Sequence, residues 1–148
     1  MNSDSVTFHS VRFPFLNQPI RIVTLTQQGK TLGQRIQTLL SSRDAFAMPV
    51  SLWYQPKPFA SALQQAFQAG EGLICICAAG IVVRTLAPVL TNKHDDPPVL
   101  VLDEQGRFVI PLLSGHEGGG NWWGNQLASA LDAELVITTA GQYLDADV

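Results

Sequence analysis

Residues 72–90 (GLICICAAGIVVRTLAPVL) form a run of 19 residues with one charge, Arg84. A membrane helix needs about 20 predominantly apolar residues, so the run is either a span or two buried elements in succession. Arg84 sits near its middle, Gly80 and Pro88 punctuate it, and β-branched and Cys residues crowd its first half. These features favour a buried strand over 72–77 followed by a helix over 80–90. No membrane partner is expected.

The rest of the chain repeats that alternation. Residues 20–26 (IRIVTLT) read as a strand, 27–29 as a turn, and Leu32, Ile36, Leu39 and Leu40 place a helix over 31–40. Residues 50–54 form a second strand, and Phe59, Leu63, Ala66 and Phe67 line one face of a helix over 58–68 that Gly70 ends. Strands over 99–103 and 107–113 flank Glu104-Gln105-Gly106, a hairpin signal. A glycine-rich loop, a helix over 121–131 and a strand over 134–138 follow. Crossover helices between strands lie on the faces of a parallel sheet, so the expected class is α/β: a three-layer α/β/α, Rossmann-like, mostly parallel sheet with one hairpin.

Composition narrows the function classes. At 148 residues the chain is expected to form one domain, residues 1–148, with 1–18 as a loose tail. Only 14% of residues are charged, against about 25% in an average soluble domain. Such a chain has a bare surface or one meant to be covered, which makes a second copy a candidate partner. The formal charge of −3, without a Lys/Arg run, speaks against nucleic acid. Cys75 and Cys77 are expected as core thiols on opposite faces of a strand, and nothing resembling a signal sequence precedes His9. The expected compartment is the cytoplasm.

In open α/β sheets ligands bind outside strand carboxyl ends, where loops meet helix N-termini. The strongest candidate there is the loop Ser114-Gly115-His116-Glu117-Gly118-Gly119-Gly120-Asn121. Its glycines allow positive φ and close backbone approach, and the following helix offers unpaired N–H groups to an anion. Asn121-Trp122 stand where a P-loop has Lys and Ser or Thr, and Trp123 stands where a dinucleotide fingerprint has its third glycine. A carboxylate is the remaining anion, with a plain connection capped by Asn121 as the alternative. His116 adds a group that titrates near neutral pH. Gly80 and Arg84 form a second candidate, in which Arg84 holds either a substrate anion or Asp95, Asp96 or Asp103. Lys93-His94-Asp95-Asp96-Pro97-Pro98 reads as a solvated loop fixed by prolines, rather than a metal site. Of Trp122 and Trp123, about 100° apart on a helix, one is expected in the core and the other beside the loop.

Several motifs occur in a fixed order: Gly80-Ile-Val-Val-Arg84-x-x-Ala-Pro88, Lys93-His-x-Asp-Pro97, Val-Leu-Val-Leu-Asp103-Glu-x-Gly106-x-Phe-Val-Ile, Leu-Leu-Ser114-Gly-His116-x-Gly-Gly119-x-Asn121, and Val136-Ile-Thr-Thr-Ala140. This set resembles the N-terminal domain of the cobalamin biosynthesis protein G (CbiG) family across roughly residues 71–140, and Thr26 to Gly33 resembles that domain's first strand and helix turn. The resemblance implies a cobalt-precorrin 5A hydrolase of the anaerobic cobalamin route, which opens a δ-lactone on the macrocycle and releases the extruded carbon as acetaldehyde. It implies a cobalt-corrinoid substrate that brings its own metal, so no cofactor and no protein metal site are expected. Family chains continue beyond the Val-Ile-Thr-Thr segment, whereas this sequence stops at Val148, so a C-terminal partner domain or another enzyme of the route is an expected partner. Trp122-Trp123 replace an acidic and an aliphatic residue of the family pattern.

With that substrate, His116 is the expected general base for water at the lactone carbonyl. The N–H groups of Gly118, Gly119 and Gly120 would hold the oxyanion, Arg84 or Lys93 would grip a peripheral carboxylate, and Gly80, Ser114, Gly115 and Asn121 complete the expected binding residues. The alternative is a binding module that presents the tetrapyrrole to a partner enzyme.

Overall fold

The computed structural model describes residues 18–41, 49–114 and 119–140. The expected loose tail, apart from Gln18, and residues Gly115, His116 and Gly118 lie outside the described residues. The elements are β1 (Ile20–Thr24), α1 (Gln27–Ser41), β2 (Val50–Tyr54), α2 (Phe59–Gln68), β3 (Gly72–Ile76), α3 (Ala79–Leu86) with a 3-10 turn at Ala87–Val89, β4 (Val99–Leu102), β5 (Phe108–Leu113), α4 (Gly120–Leu131) and β6 (Glu134–Leu135).

The six strands form one sheet in the order β2-β1-β3-β4-β5-β6. The pairs β1–β2, β1–β3, β3–β4 and β5–β6 are parallel, and β4–β5 is the antiparallel hairpin. Strand alternation sorts the core into two layers. Ile22, Ile74, Ile76, Leu102 and Val109 meet α1 and α4 on one face, and Val23, Leu73, Cys75 and Val101 meet α2 and α3 on the other. The α/β class and the mostly parallel sheet stand as expected. The apolar run at 72–90 divides into β3, buried at every position, and α3.

The boundaries that moved did so for local chemical reasons. The turn expected over 27–29 is the first turn of α1, because the Thr26 hydroxyl accepts the Gly29 N–H at 3.0 Å and caps the helix. Helix α3 gives way after Leu86 because Pro88 has no N–H for the Arg84 carbonyl. Strand β6 ends at Leu135, although the Val136 N–H still reaches the Val109 carbonyl at 2.9 Å. The next ladder bond would need an N–H from residue 111, which is proline. Cys75 and Cys77, expected on opposite faces, share the α2/α3 face, as the two-residue period of a strand requires. Burial pushes the Cys77 thiol up to about 11 and raises Cys75 through burial and then its neighbour Cys77. Both are neutral thiols near pH 7.

The hairpin turn is organised by Asp103. Its carboxylate accepts the N–H groups of Phe108 at 2.8 Å, Arg107 at 2.9 Å and Gln105 at 3.3 Å. Partial burial raises its pKa, but those N–H groups together outweigh burial and hold it below the ordinary carboxylate value. A depressed folded-state pKa contributes stability that is present above the unfolded value of about 3.9 and is lost as pH falls through the folded value. Asp103→Asn is therefore expected to be less stable than the parent at pH 7, with the difference shrinking below about pH 4. Chemical denaturation at a series of pH values measures it, and a constant difference would contradict the assignment.

Candidate functional site

The antiparallel turn at β5 gives the sheet two functional ends. Strands β1 to β4 point their carboxyl ends one way, and β5 and β6 point theirs the other. The glycine-rich loop leaves the carboxyl end of β5, beside the amino end of β4, where Leu113 pairs with Val99. Gly80 and Arg84 belong to the opposite end, after β3. Four to six residues of strand separate the two, roughly 15 Å.

At the β5–β6 end the loop is closed at its base. The Gly120 N–H donates to the Ser114 carbonyl at 3.1 Å, and the Ser114 hydroxyl donates to the Asp96 carbonyl at 2.9 Å. Ser114 has φ of 54° and Gly119 has φ of 85°, both left-handed. Glycine suits the second position, while Ser114 holds a conformation that costs a side-chain-bearing residue about 1–2 kcal/mol. Strain of this kind is retained where surrounding contacts over-determine it, and here the two hydrogen bonds do so. The Asn121 amide donates to the Thr139 hydroxyl at 3.0 Å, tying the start of α4 to the chain just after β6. Its Oδ1 is buried with no hydrogen-bond partner. Trp123 is in the core, as expected for one of the two, and Trp122 is half-buried and packed against the same core layer, with ring centroids 5.9 Å apart.

The neighbouring loop is built from its own polar groups. Asn92 Oδ1 accepts the N–H groups of His94 and Asp95, and its amide donates to Asp95 at 2.8 Å. Asp96 accepts the N–H of Thr91 at 2.9 Å and its hydroxyl at 2.5 Å. Both aspartates thus hold the loop, and Pro97 and Pro98 anchor it in the core. Lys93 and His94 are exposed on it. Among the described residues no group of three His, Cys, Asp or Glu side chains could hold a metal ion, and no helix is long and apolar enough to cross a membrane. A cleft of about 250 Å³ opens here, lined by Phe67, Gly70, Val89, Thr91, Asp95 and Asp96 among others.

At the β1–β4 end, Arg84 is exposed and folds back over the start of α3, where a Cβ on Gly80 would sit 3.4 Å from Arg84 Nη1. The ion pairs considered for it do not form. Asp95 and Asp96 lie at the other end of the sheet, and Asp103 faces Arg107 at 3.6 Å. A cleft of about 360 Å³ lies nearby between Cys77, Ala78, Ala79, Val101, Asp103, Glu104 and Ile110. The Thr26 hydroxyl donates to Glu104 at 2.6 Å beside it. The structure thus brings Ser114, Gly119, Gly120, Asn121 and Lys93 to one end and leaves Gly80 and Arg84 at the other. Sequence reading gave Thr139, Thr26 and Glu104 no role. Thr139 stood in a quoted motif, but its bond to Asn121 needs the β5–α4–β6 crossover, which only the fold supplies.

Fold and loop together define a doubly covered α/β domain with a pinned glycine loop at the carboxyl ends of a parallel strand pair. The chain belongs to the cobalamin synthesis G N-terminal family, whose model matches residues 61–142. It is 52% identical over 82 residues to the cobalt-precorrin-5A hydrolase of Salmonella typhimurium, covering 55% of this chain and 23% of that one. It is 49% identical over 78 residues to the cobalt-precorrin-5A hydrolase of Priestia megaterium, covering 53% and 21%. The matched segment thus spans under a quarter of each relative's length. A crystal structure of a cobalamin biosynthesis protein G homolog from Sulfolobus solfataricus shares the fold, with a TM-score of 0.68 and 22% identity over 84% of this chain and 39% of that one.

Proposed function

We propose that this chain supplies the N-terminal domain of a cobalt-precorrin-5A hydrolase, acting in anaerobic cobalamin biosynthesis. The supporting observation is the identity of about half the residues with two hydrolases, over 82 and 78 residues of this chain. In this reading His116 accepts a proton from the water whose oxygen adds to the δ-lactone carbonyl. The N–H groups of Gly118 and Gly119 hold the oxyanion; the Gly120 N–H is already committed to Ser114. Collapse of the adduct breaks the acyl–oxygen bond, leaving a carboxylate and an alcohol that takes the proton back from His116. The alcohol carbon, with its methyl group, then leaves as acetaldehyde: its hydroxyl proton is released as C–O becomes C=O, and its C–C bond to the macrocycle breaks with the electron pair, then a proton, taken up by the ring. The cobalt belongs to the substrate, and the protein needs no cofactor of its own.

In this reading Lys93, on the same end of the sheet as Ser114, grips a peripheral carboxylate, and the position of Arg84 at the opposite end supports choosing Lys93 over it. Lys93→Ala is expected to raise KM severalfold with kcat nearly unchanged, because an exposed charge contributes to ground-state and transition-state binding alike. A fall in kcat at constant KM would contradict that role.

A second reading, a corrinoid-presenting module that hands the ring to a partner, is favoured by the short span of the match and by cleft size. Among the described residues, one cleft of about 250 Å³ lies below and one of about 360 Å³ lies just above the low end of the roughly 300–1,000 Å³ range of drug-sized ligand pockets, and a carboxylate-fringed macrocycle is larger than such ligands. The test is acetaldehyde release from cobalt-precorrin 5A by this chain, with and without the remaining region of the Salmonella relative. Release by the chain alone supports the enzyme, and release only on mixing supports a shared site. Corrinoid absorbance shifts without acetaldehyde in either case support the presenting module, and no shift removes both readings.

A further inference from the structure

The two faces of the sheet are unequally covered. On the α1/α4 face, α4 lies tightly over β5 and β6, where a Cβ on Gly124 would stand 3.0 Å from both Pro111 and Leu135. On the other face, α2 and α3 cover β1, β3 and β4, and among the described residues no helix continues over β5 and β6. Phe108, Ile110 and Leu112 alternate onto that face, since Val109 is turned to the α1/α4 layer. Val136, next to β5 and one residue past the inward-turned Leu135, extends it.

The wall of this groove is the far side of α3. Val82 and Leu86 lie on the sheet, and the Thr85 side meets α2, where the Gln64 amide donates to the Thr85 carbonyl at 2.9 Å. The step of about 100° per residue then turns Ala79 and Val83 toward β5. Ala79 indeed lines one cleft with Val101 and Ile110. Val83 is 52% exposed and Phe108 37% exposed, in a chain with only 14% charged residues.

We propose that this groove is the docking surface for the part of the longer family chains that lies beyond this domain. Two observations commit it to that occupant. The segments matched to this chain cover only 23% of the Salmonella relative and 39% of the Sulfolobus homolog, so a large further polypeptide in them is available to pack against this domain. The described chain also leaves the sheet along β6, the edge strand bordering the groove, so a segment continuing from there starts beside it. The proposal rests on family membership and goes beyond the hydrolase reading.

The experiment mixes this chain with the separately expressed remaining region of the Salmonella relative and measures complex formation by calorimetry and analytical ultracentrifugation. A 1:1 complex is expected. Val83→Glu, at an exposed helix position and with its fold checked by circular dichroism, is expected to weaken it at least tenfold, and Ile110→Lys likewise. Tyr54→Ser, on the far strand β2, is expected to leave it unchanged. No complex, a complex indifferent to Val83→Glu, or self-association of this chain that Val83→Glu abolishes would each overturn the proposal. Because the readout is binding, failure of the hydrolase reading shows separately, as a complex formed without acetaldehyde.

Discussion

Replacing His116 by Ala is expected to lower acetaldehyde release from cobalt-precorrin 5A by about 10²- to 10⁴-fold, the usual contribution of a positioned general base. The proposed reaction needs an imidazole in its neutral form to take a proton from water, and the Ala side chain of the variant offers no such acceptor. Corrinoid binding, followed by absorbance, should survive, because the carboxylate contacts assigned to Lys93 and the loop N–H groups remain. The described ends of the loop support this separation, since the Gly120–Ser114 and Ser114–Asp96 bonds hold its base without any contribution from the His116 side chain. His94→Ala is the comparison: its side chain is exposed on the neighbouring loop, and its backbone N–H contact with Asn92 persists in the variant. Equal rates for parent and His116→Ala would end the assignment, and a loss confined to His94→Ala would transfer it.

The second large effect concerns stability. Phe67→Ala is expected to cost about 3–5 kcal/mol, the range for removing a fully buried aromatic side chain. Phe67 is 2% exposed and lies in the α2/α3 layer with Leu63, Leu73 and Leu86. Phe67 also lines the cleft of about 250 Å³ beside Pro97, so the truncation removes part of that wall as well as core contacts. Against a total stability of about 5–15 kcal/mol, a thermal transition lowered by roughly 10 °C follows. Leu90→Ala, at a position 44% exposed, should stay within about 0.5 kcal/mol of the parent. If the two variants melted alike, the burial assigned to Phe67 would be wrong.

The layering of this domain was legible because it follows from short-range pattern. Phe59, Leu63, Ala66 and Phe67 recur at helical spacing, Ile20 to Thr24 is strand-like, and Gly106 marks the hairpin, so each element carries its own signal. Boundaries were less legible where one side chain decides them. Thr26 turns an expected turn into the first turn of α1, and Pro111 shortens β6 from a neighbouring strand. The ordered motifs carried the family resemblance, because Gly80, Lys93, Ser114 and Asn121 keep their spacing along the chain however they are arranged in space.

By itself, then, the sequence determined the α/β class, the alternation of elements, the two candidate loops and the family. All are properties of spacing along the chain. The tertiary structure alone decided that the two loops face opposite ends of the sheet. That follows from the direction of β5, which runs against β4 while β6 runs with it. Strand direction is a relation between segments fixed by hydrogen-bond pairing, so a local pattern of residues does not carry it. The same relation joined Asn121 to Thr139, removed Arg84 from the neighbourhood of Ser114 and, among the described residues, left one face of β5 without a covering helix.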